Sequence, residues 1–405
     1  MTISRTPSPA PPSRNSCESC PNSPASRLRN NYKRSSSSPA GNRQKRDLKG
    51  KAILEAVDKS DVVTLKQLAI SREGFINNDL RKLAWPKLLG LSENDRIERP
   101  SDEVLHAHKD YNQVVLDVNR SVKRFPPGME EEVRLSYQDI LIDVIMRVLV
   151  NNEGLNYYQG YHDVCVTFLL VVGEELTVTL MDKLSKSHLR EFMDVNMDRT
   201  NHMLDYLFPI IGMVNSELRR FLELSEVGTI FALSWLITWF GHVLNEFSSI
   251  VRLYDFFIAC HPLMAVYMGA AVVLDRKNEV MDCQCEMPFV HSLLSNIPPE
   301  IPLEKLVSQA GLLYIRFPPE TVELEARILL ENRKREQRER DARIAEMKLK
   351  RQNGSRIVKS KSADFHSKSD KAMFYSVIKW TVGGVVAAVT VAAVSKSFGL
   401  NWVVW

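Results

Sequence analysis

The chain has 405 residues, 44% of them hydrophobic, and a formal net charge of +4. This length accommodates two or three average domains or one large domain with tails, and the apolar fraction is enough for a sizeable core. The modest net charge argues against nucleic-acid binding by the protein as a whole. Six cysteines in a chain of this length exclude a disulfide scaffold.

The first 48 residues are predicted to form a disordered basic tail. Residues 1–51 contain eleven Lys or Arg and two acidic residues, and Ser, Pro, Arg and Asn dominate up to about residue 48. Such a segment buries too little apolar surface to offset the entropy lost on ordering. Its first residues also lack the apolar stretch of a cleaved signal peptide, so no such peptide is expected.

From Lys49 onward, apolar residues recur at helical spacing without a convincing β-hairpin signal. The spacing predicts helices over residues 106–123 and 135–150. The apolar run at residues 164–172 is compatible with a buried strand or a buried helix, and the helical segments on both sides favour a helix. The pattern therefore predicts an all-α fold.

Residues 227–244 contain no Asp, Glu, Lys or Arg over 18 positions, which is the minimum length of a membrane-spanning helix. The segment also contains polar residues, among them Ser234, Thr238 and His242, and an acidic residue lies close to each end. A core helix of a large α domain is therefore favoured over a membrane span.

A further helix is predicted within residues 74–90, Gly-Phe-Ile-Asn-Asn-Asp-Leu-Arg-Lys-Leu-Ala-Trp-Pro-Lys-Leu-Leu-Gly. One of three consecutive polar residues is expected to cap it: Asn77, Asn78 or Asp79. Three leucines are expected to face the core: Leu80, Leu83 and Leu88. Arg81 and Trp85 are four residues apart, so their side chains can stack, and a structural role is favoured for Arg81. Gly90 is expected to end the helix.

Two shorter segments, about forty residues apart, each present one planar, hydrogen-bonding side chain. The first is Val-Val-Leu-Asp-Val-Asn-Arg at residues 114–120, which ends in Arg120. The second is Tyr-Tyr-Gln-Gly at residues 157–160, which contains Gln159. A guanidinium can neutralise charge that develops on a transferred phosphoryl group, and a carboxamide can orient an attacking water.

These segments resemble the motifs of the TBC-domain family of Rab GTPase-activating proteins. Residues 114–120 are similar to I-x-x-D-x-x-R, with Val in place of Ile, and residues 157–159 are similar to Y-x-Q. Residues 74–90 resemble the G-I-x-x-x-L-R-x-x-x-W-x-x-L-L-G opening of the family, and residues 251–257 resemble a later L-R-x-x-D pattern. The resemblance covers roughly residues 70–320.

The resemblance implies a multi-helix TBC domain over residues 49–319, with a groove that receives the GTPase. The chain would then act in trans, as a GTPase activator rather than as an enzyme with its own substrate. Arg120 corresponds to the arginine finger that reaches the β- and γ-phosphates, and Gln159 to the glutamine that replaces the Rab's own switch glutamine. The expected partner is a Rab small GTPase of the Rab-one class in its GTP form.

No cofactor of its own is expected, because GTP and Mg2+ belong to the partner GTPase. The sequence has no G-x-x-x-x-G-K-[ST] phosphate-binding loop, so the chain is not expected to bind GTP tightly by itself. Two cysteine pairs are too far apart in sequence to suggest one zinc site, and reduced thiols are favoured: Cys17 with Cys20, and Cys283 with Cys285. No metal and no nucleic acid are expected.

Five residues are assigned supporting roles: Asp117, Tyr157, Gly160, Arg81 and Trp85. Asp117 lies three residues before Arg120, and it either holds the guanidinium when no partner is bound or forms an ordinary surface ion pair. Tyr157 either walls the site or packs in the interior. Gly160 is expected to let the loop backbone turn closely.

The residues after Gly160 raise a rival hypothesis. Tyr161-His162-Asp163 differ from the family's commoner Met-Asn at this place, a difference expected to influence which Rab is bound. His162 and Asp163 would have to form a hydrolase dyad, but adjacent residues are poorly oriented for mutual hydrogen bonding and no nucleophile elbow accompanies them. Cys165 lies in an apolar run that should raise its pKa and keep it inert.

The C-terminal part is predicted to leave the domain. Residues 320–371 are predicted to be a charged, solvated helix or flexible spacer that leads into a Ser/Lys-rich linker. Residues 372–405 are predicted to be a transmembrane anchor, because residues 373–394 carry one charge, Lys379, which can snorkel to the interface. Upstream lysines place the domain in the cytosol, and a short span suits the endoplasmic reticulum. A re-entrant hairpin and a buried helix are the alternatives.

Two other functions are compatible with the sequence. A membrane-anchored scaffold would bind a GTP-loaded Rab without stimulating hydrolysis, and a membrane-shaping protein would act through the C-terminal segment. Arg120 and Gln159 together favour the activator, because a scaffold needs neither side chain.

Overall fold

The computed structural model describes residues 39–121, 125 and 129–362. Over these residues the backbone forms α-helices joined by turns and short 3-10 segments, without a β-strand. The predicted all-α fold is confirmed for this part of the chain.

The first nine helices are α1 (Pro39–Asp58), α2 (Val62–Ile70), α3 (Asn78–Leu88), α4 (Asp102–His106), α5 (Tyr111–Arg120), α6 (Glu131–Val150), α7 (Tyr161–Val172), α8 (Glu174–Ser185) and α9 (Asp198–Asp205). The helices that follow are α10 (Leu207–Val214), α11 (Ser216–Leu224), α12 (Leu233–Ile237), α13 (Phe247–Ala259), α14 (Met264–Asp275), α15 (Lys277–Asp282), α16 (Met287–Ser295), α17 (Leu303–Arg316) and α18 (Pro319–Ser362).

Three largely buried helices, α7, α13 and α14, form the centre of the domain. Residues 250–259 of α13 and residues 264–273 of α14 are all buried. α14 packs mainly against α10 and α17, α13 against α2 and α3, and α7 against α3, α6 and α8. The ring of Phe168 on α7 contacts both α3 and α13: its centroid lies 5.0 Å from that of Trp85 on α3 and 5.2 Å from that of Tyr254 on α13. This packing fixes the start of α7, and therefore the loop that precedes it.

The structure confirms the helix predicted for one of the two apolar segments and not the single helix predicted for the other. The run at residues 164–172 lies in the buried helix α7, as predicted. Residues 227–244 are mostly buried but do not form the predicted single helix, because a 3-10 turn and the short α12 are followed by further turns. Trp239 and Phe240 adopt positive φ angles of 47° and 64°, which end the helix. The Phe240 amide then donates to the carbonyl of Trp235 at 2.7 Å.

The predicted helix over residues 106–123 is also divided. Residues 107–110 form a turn between α4 and α5. The turn is stabilised because the Asp110 amide donates to Nδ1 of His108 at 3.2 Å. The carboxylate of Asp110 accepts a hydrogen bond from the amide of Tyr157, so a tertiary contact accompanies the break that local periodicity did not indicate.

The helix predicted within residues 74–90 is α3. Oδ1 of Asn77 accepts a hydrogen bond from the Leu80 amide at 2.9 Å, as predicted for the cap, and Gly90 follows the helix with a φ of 66°. The prediction for Leu83 is wrong, because this side chain is 47% exposed. The buried face is Leu80, Arg81, Ala84, Trp85 and Leu88. Leu83 lies off the stripe that these i,i+4 positions form.

The compact unit extends beyond the predicted domain at both ends. Residues 39–48, which the composition assigns to the tail, belong to α1. The unit also continues past residue 319 to Leu330, because Val322 and Ala326 on the first turns of α18 are fully buried.

α18 continues to Ser362, so the first part of the predicted linker is helical. Residues 1–38 of the predicted tail, residues 363–371 of the predicted linker and the predicted anchor over residues 372–405 lie outside the described residues. Within the described residues, no helix combines the length and the apolar character needed to cross a membrane.

Candidate functional site

Arg120 is the last residue of α5, and buried contacts hold this end of the helix. Val114 and Val118 form its apolar face. The carbonyl of Val118 accepts hydrogen bonds from Oγ of Ser121 at 2.6 Å and from Nε2 of Gln138 at 3.0 Å. Arg120 itself is exposed, and it makes no hydrogen bond or ion pair with the residues that the structure describes. A fixed helix end thus presents a guanidinium that no other described residue engages.

Gln159 is exposed in the loop that precedes α7, and its neighbours anchor that loop on two sides. The Tyr157 amide donates to Oδ2 of Asp110 at 3.1 Å. The Tyr158 hydroxyl donates to the carbonyl of Ile237 at 2.9 Å. The carboxamide of Gln159 makes no hydrogen bond within the described part of the chain, so it is accessible while its backbone is held.

Gly160 follows with a φ of +108°, a region that side chains with a Cβ rarely adopt. A Cβ placed here would lie 2.9 Å from Cγ2 of Thr238 and 3.5 Å from Cγ1 of Ile237. The backbone therefore turns closely against the segment that follows α12, in agreement with the role predicted for this glycine.

A hydrogen bond joins the two sequence motifs. Oδ2 of Asp117 accepts from the hydroxyl of Tyr157 at 3.1 Å, and its Oδ1 accepts from Nε2 of Gln113 at 3.0 Å. The predicted pairing of Asp117 with Arg120 is therefore replaced by a different contact: the carboxylate is buried and ties α5 to the loop of Gln159. Tyr157 connects the motifs and does not merely pack.

Burial, together with the neighbouring carboxylate of Asp117, raises the pKa of Tyr157 far above its ordinary value. The phenol is therefore neutral and keeps its proton for hydrogen bonding. Its oxygen also lies 2.9 Å from Nδ1 of His162. Asp163, which follows His162 in sequence, contacts a different histidine. Its Oδ2 lies 3.2 Å from Nδ1 of His242, which is partly exposed in the turn after α12.

These contacts argue against a hydrolase dyad. Nε2 of His162 lies 3.7 Å from Oδ1 of Asp163, which exceeds hydrogen-bond distance, while the other ring nitrogen contacts Tyr157. Cys165 is fully buried, and burial raises the pKa of its thiol well above the ordinary value. Such a thiol is a poor nucleophile.

Arg81 and Trp85 serve a different, fully buried cluster. Nη2 of Arg81 donates to Oδ2 of Asp255 at 2.9 Å, and Nε1 of Trp85 donates to its Oδ1 at 2.9 Å. The amide of Phe75 donates to Oδ2 as well. The two side chains thus share a carboxylate rather than forming the predicted stack. A Cβ at Gly74 would lie 2.3 Å from that carboxylate, which explains the glycine at the start of the motif.

A second buried arginine, Arg252, lies on α13 one helical turn before Asp255. Nε of Arg252 donates to Glu304 at 2.8 Å, and its Nη1 donates to the carbonyl of Ala69 at the C-terminal end of α2. Nearby, Nζ of Lys49 donates to the carbonyl of Arg72 at 2.6 Å. Burial, and next the charge of Arg252, lower the pKa of Lys49 to about 8. These contacts stabilise the fold on the side that carries α2 and α3.

The described residues contain no group of three or more His, Cys, Asp or Glu that is arranged to hold a metal ion. Cys283 and Cys285 are free thiols. Cys17 and Cys20 lie outside the described residues.

Four residues were not identified from the sequence: three around the site, Asp110, Thr238 and His242, and Asp255 in the buried cluster of Arg81 and Trp85. Asp255 lies within the L-R-x-x-D pattern, so that pattern could have indicated its buried partners. The other three are brought to the site by a turn between two helices or by the irregular segment after α12. No local periodicity signals such contacts.

Residues 78–281 match the Rab-GTPase-TBC domain family, and this match spans half of the chain. The protein therefore belongs to the family of Rab-GTPase-TBC domain proteins. It is 55% identical over 269 residues to TBC1 domain family member 20 of Homo sapiens, which covers 66% of this chain and 67% of that protein. Its identity to the Bos taurus protein of the same name is 53% over 284 residues, or 70% of each chain.

More distant relatives carry names that state an activity. The GTPase-activating protein gyp10 of Schizosaccharomyces pombe is 34% identical over 252 residues, which covers 61% of this chain and 67% of that protein. The crystal structure of the Ypt/Rab-GAP domain of Gyp1p aligns with a TM-score of 0.52 at 15% identity, and covers 65% of this chain and 99% of that domain. The latter similarity establishes a shared fold.

Proposed function

We propose that this protein is a GTPase-activating protein for a Rab-family small GTPase, and that it supplies Arg120 and Gln159 in trans. The observation that carries the proposal is the tie between Asp117 and Tyr157. Asp117 lies one helical turn before Arg120, and Tyr157 lies two residues before Gln159. One partly buried hydrogen bond therefore ties together the two elements that carry these exposed side chains.

The chemistry follows from what a slow GTPase lacks. Its own phosphate-binding loop and Mg2+ position the nucleotide, and hydrolysis awaits a cation for the developing charge and a group to orient water. The planar fork of Arg120 can engage several phosphate oxygens at once, which an ammonium cannot do. The carboxamide of Gln159 both donates and accepts hydrogen bonds, so it can orient a water towards the γ-phosphate.

The finer proposal is a partner of the Rab-one class, in its GTP form, at the endoplasmic reticulum. The Rab-one class rests on the resemblance carried by Tyr161-His162-Asp163 together with the predicted anchor. The predicted anchor over residues 373–394 would also place the domain on the cytosolic face of that membrane. A lipid-anchored GTPase on the same surface would then meet the site at a raised local concentration.

Single-turnover GTP hydrolysis by a panel of Rab proteins tests this proposal. The wild-type chain should accelerate hydrolysis by a subset that includes a Rab-one-class member, whereas the Arg120→Ala/Gln159→Ala double variant should accelerate none while it retains its helical circular dichroism. A scaffold would bind GTP-loaded Rab and leave the rate unchanged or lower. Binding without acceleration across the panel would therefore overturn the proposal.

Deleting residues 372–405 separates the activator from a membrane-shaping protein. The truncated chain should keep its stimulation of GTP hydrolysis in solution and lose its association with membranes. Loss of stimulation in solution, with the domain still folded, would argue that the C-terminal segment carries the function.

A further inference from the structure

The contacts around Tyr157 define the direction of a partly buried chain of hydrogen bonds. A phenol has one proton to donate, and a carboxylate can only accept. Because the Tyr157 hydroxyl donates to Oδ2 of Asp117 at 3.1 Å, its oxygen must be the acceptor in the 2.9 Å contact with Nδ1 of His162. The imidazole therefore carries a proton on Nδ1.

This chain of hydrogen bonds begins at a donor on α7 and ends at an acceptor on α5. His162 is on the first turn of α7, Tyr157 is in the loop that carries Gln159, and Asp117 is on the helix that ends at Arg120. His162 is 8% exposed and Asp117 is 3% exposed, so little solvent competes for these hydrogen bonds.

The residue that follows His162 on α7 is held by separate contacts. Asp163 contacts Nδ1 of His242 through Oδ2 at 3.2 Å. The amide of His242 donates to Oγ1 of Thr238, whose methyl group abuts Gly160. The start of α7 is therefore held between the tyrosine on one side and the turn after α12 on the other.

We propose that His162 is a positioning residue for the proposed GTPase activation: by donating from Nδ1 to Tyr157, it fixes the geometry of Gln159 relative to Arg120. This inference rests on the proposed function, and it assigns a role to a residue that is largely buried. Without the histidine donor, the tyrosine hydroxyl keeps one partner instead of two, and the loop can shift with respect to α5. Small shifts of this kind reduce the rate of the chemical step more than they reduce binding.

The family's commoner residue at position 162 is Asn, and an Asn amide can offer a donor close to the place of Nδ1. His162→Asn should therefore keep the chain intact, whereas His162→Leu removes the donor at similar bulk. Tyr157→Phe removes the hydroxyl and keeps the ring. His291→Leu on α16, whose main packing partners are α15 and the 3-10 turn at Ile230–Ala232, is the matched control for loss of an imidazole.

Single-turnover hydrolysis at increasing activator concentration separates the maximal rate from the half-saturating concentration. His162→Leu and Tyr157→Phe should each lower the maximal rate about tenfold, the loss expected for one misplaced transition-state contact, with half-saturation changed less than about twofold. His162→Asn and His291→Leu should stay within about threefold of wild type. The maximal rate of the double variant His162→Leu/Tyr157→Phe should lie within about threefold of that of either single variant, because both substitutions interrupt the same chain of hydrogen bonds.

Thermal unfolding of each variant distinguishes this outcome from misfolding. A rate for His162→Leu equal to that of wild type, or losses in the double variant that multiply to about a hundredfold, would overturn the inference and leave the proposed function standing. A failure of His162→Asn to rescue a folded protein would also overturn it. If wild type accelerates no Rab, the proposed function fails first and the inference fails with it.

Discussion

Arg81 and Arg120 carry the same side chain in opposite surroundings. Arg81 is buried, and Asp255 accepts hydrogen bonds from its guanidinium and from the indole of Trp85. Arg120 is exposed at the end of α5, and it makes no such bond within the described structure. Both arginines belong to recognisable motifs, so the motif alone does not distinguish a stabilising arginine from one that serves a partner.

The fold thus assigns stability to one arginine and chemistry to the other. A buried charge without its counterion destabilises a fold strongly, so Arg81 and Asp255 depend on each other. An exposed, unpaired arginine adds little to stability, and its value lies in a complex. Substitutions in the two regions should therefore have nearly opposite effects on stability and on rate.

The largest expected effect is on rate at Arg120. Arg120→Ala should lower the stimulated GTP hydrolysis by about 10³- to 10⁵-fold, and Arg120→Lys should recover little of it, because an ammonium lacks the planar fork. The free energy of unfolding should change by less than about 0.5 kcal/mol. Single-turnover hydrolysis and urea denaturation measure the two quantities, with exposed Arg96→Ala as the matched control.

The next largest effect is on stability at Asp255. Asp255→Ala should lower the free energy of unfolding by about 3–5 kcal/mol, because it leaves the Arg81 guanidinium buried without a counterion. The rate per folded molecule should change far less than in Arg120→Ala. Asp275→Ala, which removes a partly exposed ion pair with Lys305, should cost less than about 1 kcal/mol. Equal losses in the two variants, measured by urea denaturation, would contradict the assignment of the cluster.

A smaller effect that combines both properties is expected at Gly160. Gly160→Ala should destabilise the protein by about 1–2 kcal/mol, since its φ of +108° disfavours a Cβ and the methyl group of Thr238 is 2.9 Å away. The displaced loop should also lower stimulation by about tenfold. Gly90→Ala, where φ is positive but no neighbour lies within 4 Å, should reduce stability alone. A full rate in Gly160→Ala would argue that the loop position is unimportant.

The smallest effect concerns pH and the partly buried amine of Lys49. The pKa of Lys49 is about 8 in the folded chain, below its ordinary value of 10.5. The unfolded chain thus binds more protons between these values, so the penalty for burying the charged amine is present at neutral pH and is relieved as the pH rises through that window. Relative to Lys49→Met, wild type should gain stability between about pH 7 and about pH 10. A difference that is independent of pH in urea denaturation would contradict the burial of this amine.

The sequence indicates those parts of the molecule that depend on local pattern. The cap at Asn77, the buried helix α7 and the glycine turn at position 160 follow from residue type and spacing. The turn at residues 107–110 does not, because the Asp110 carboxylate also holds the loop of a distant motif.

Contacts between distant segments account for the remaining differences. The spacing of Asp117 and Arg120 suggests an ion pair, but a tyrosine forty residues away takes the carboxylate. Residues 227–244 read as one helix, yet two positive φ angles at Trp239 and Phe240 divide them. Leu83 falls on the exposed side because the partners of Arg81 and Trp85 decide which face of α3 is buried.

The most direct test of the account uses a Rab whose own switch glutamine is replaced by alanine. If Gln159 supplies the missing carboxamide, the wild-type chain should still accelerate GTP hydrolysis by this Rab, and Gln159→Ala should lower that rate by about a hundredfold or more. A wild-type chain that binds the altered Rab but no longer accelerates its hydrolysis would contradict the claim that Gln159 is donated in trans.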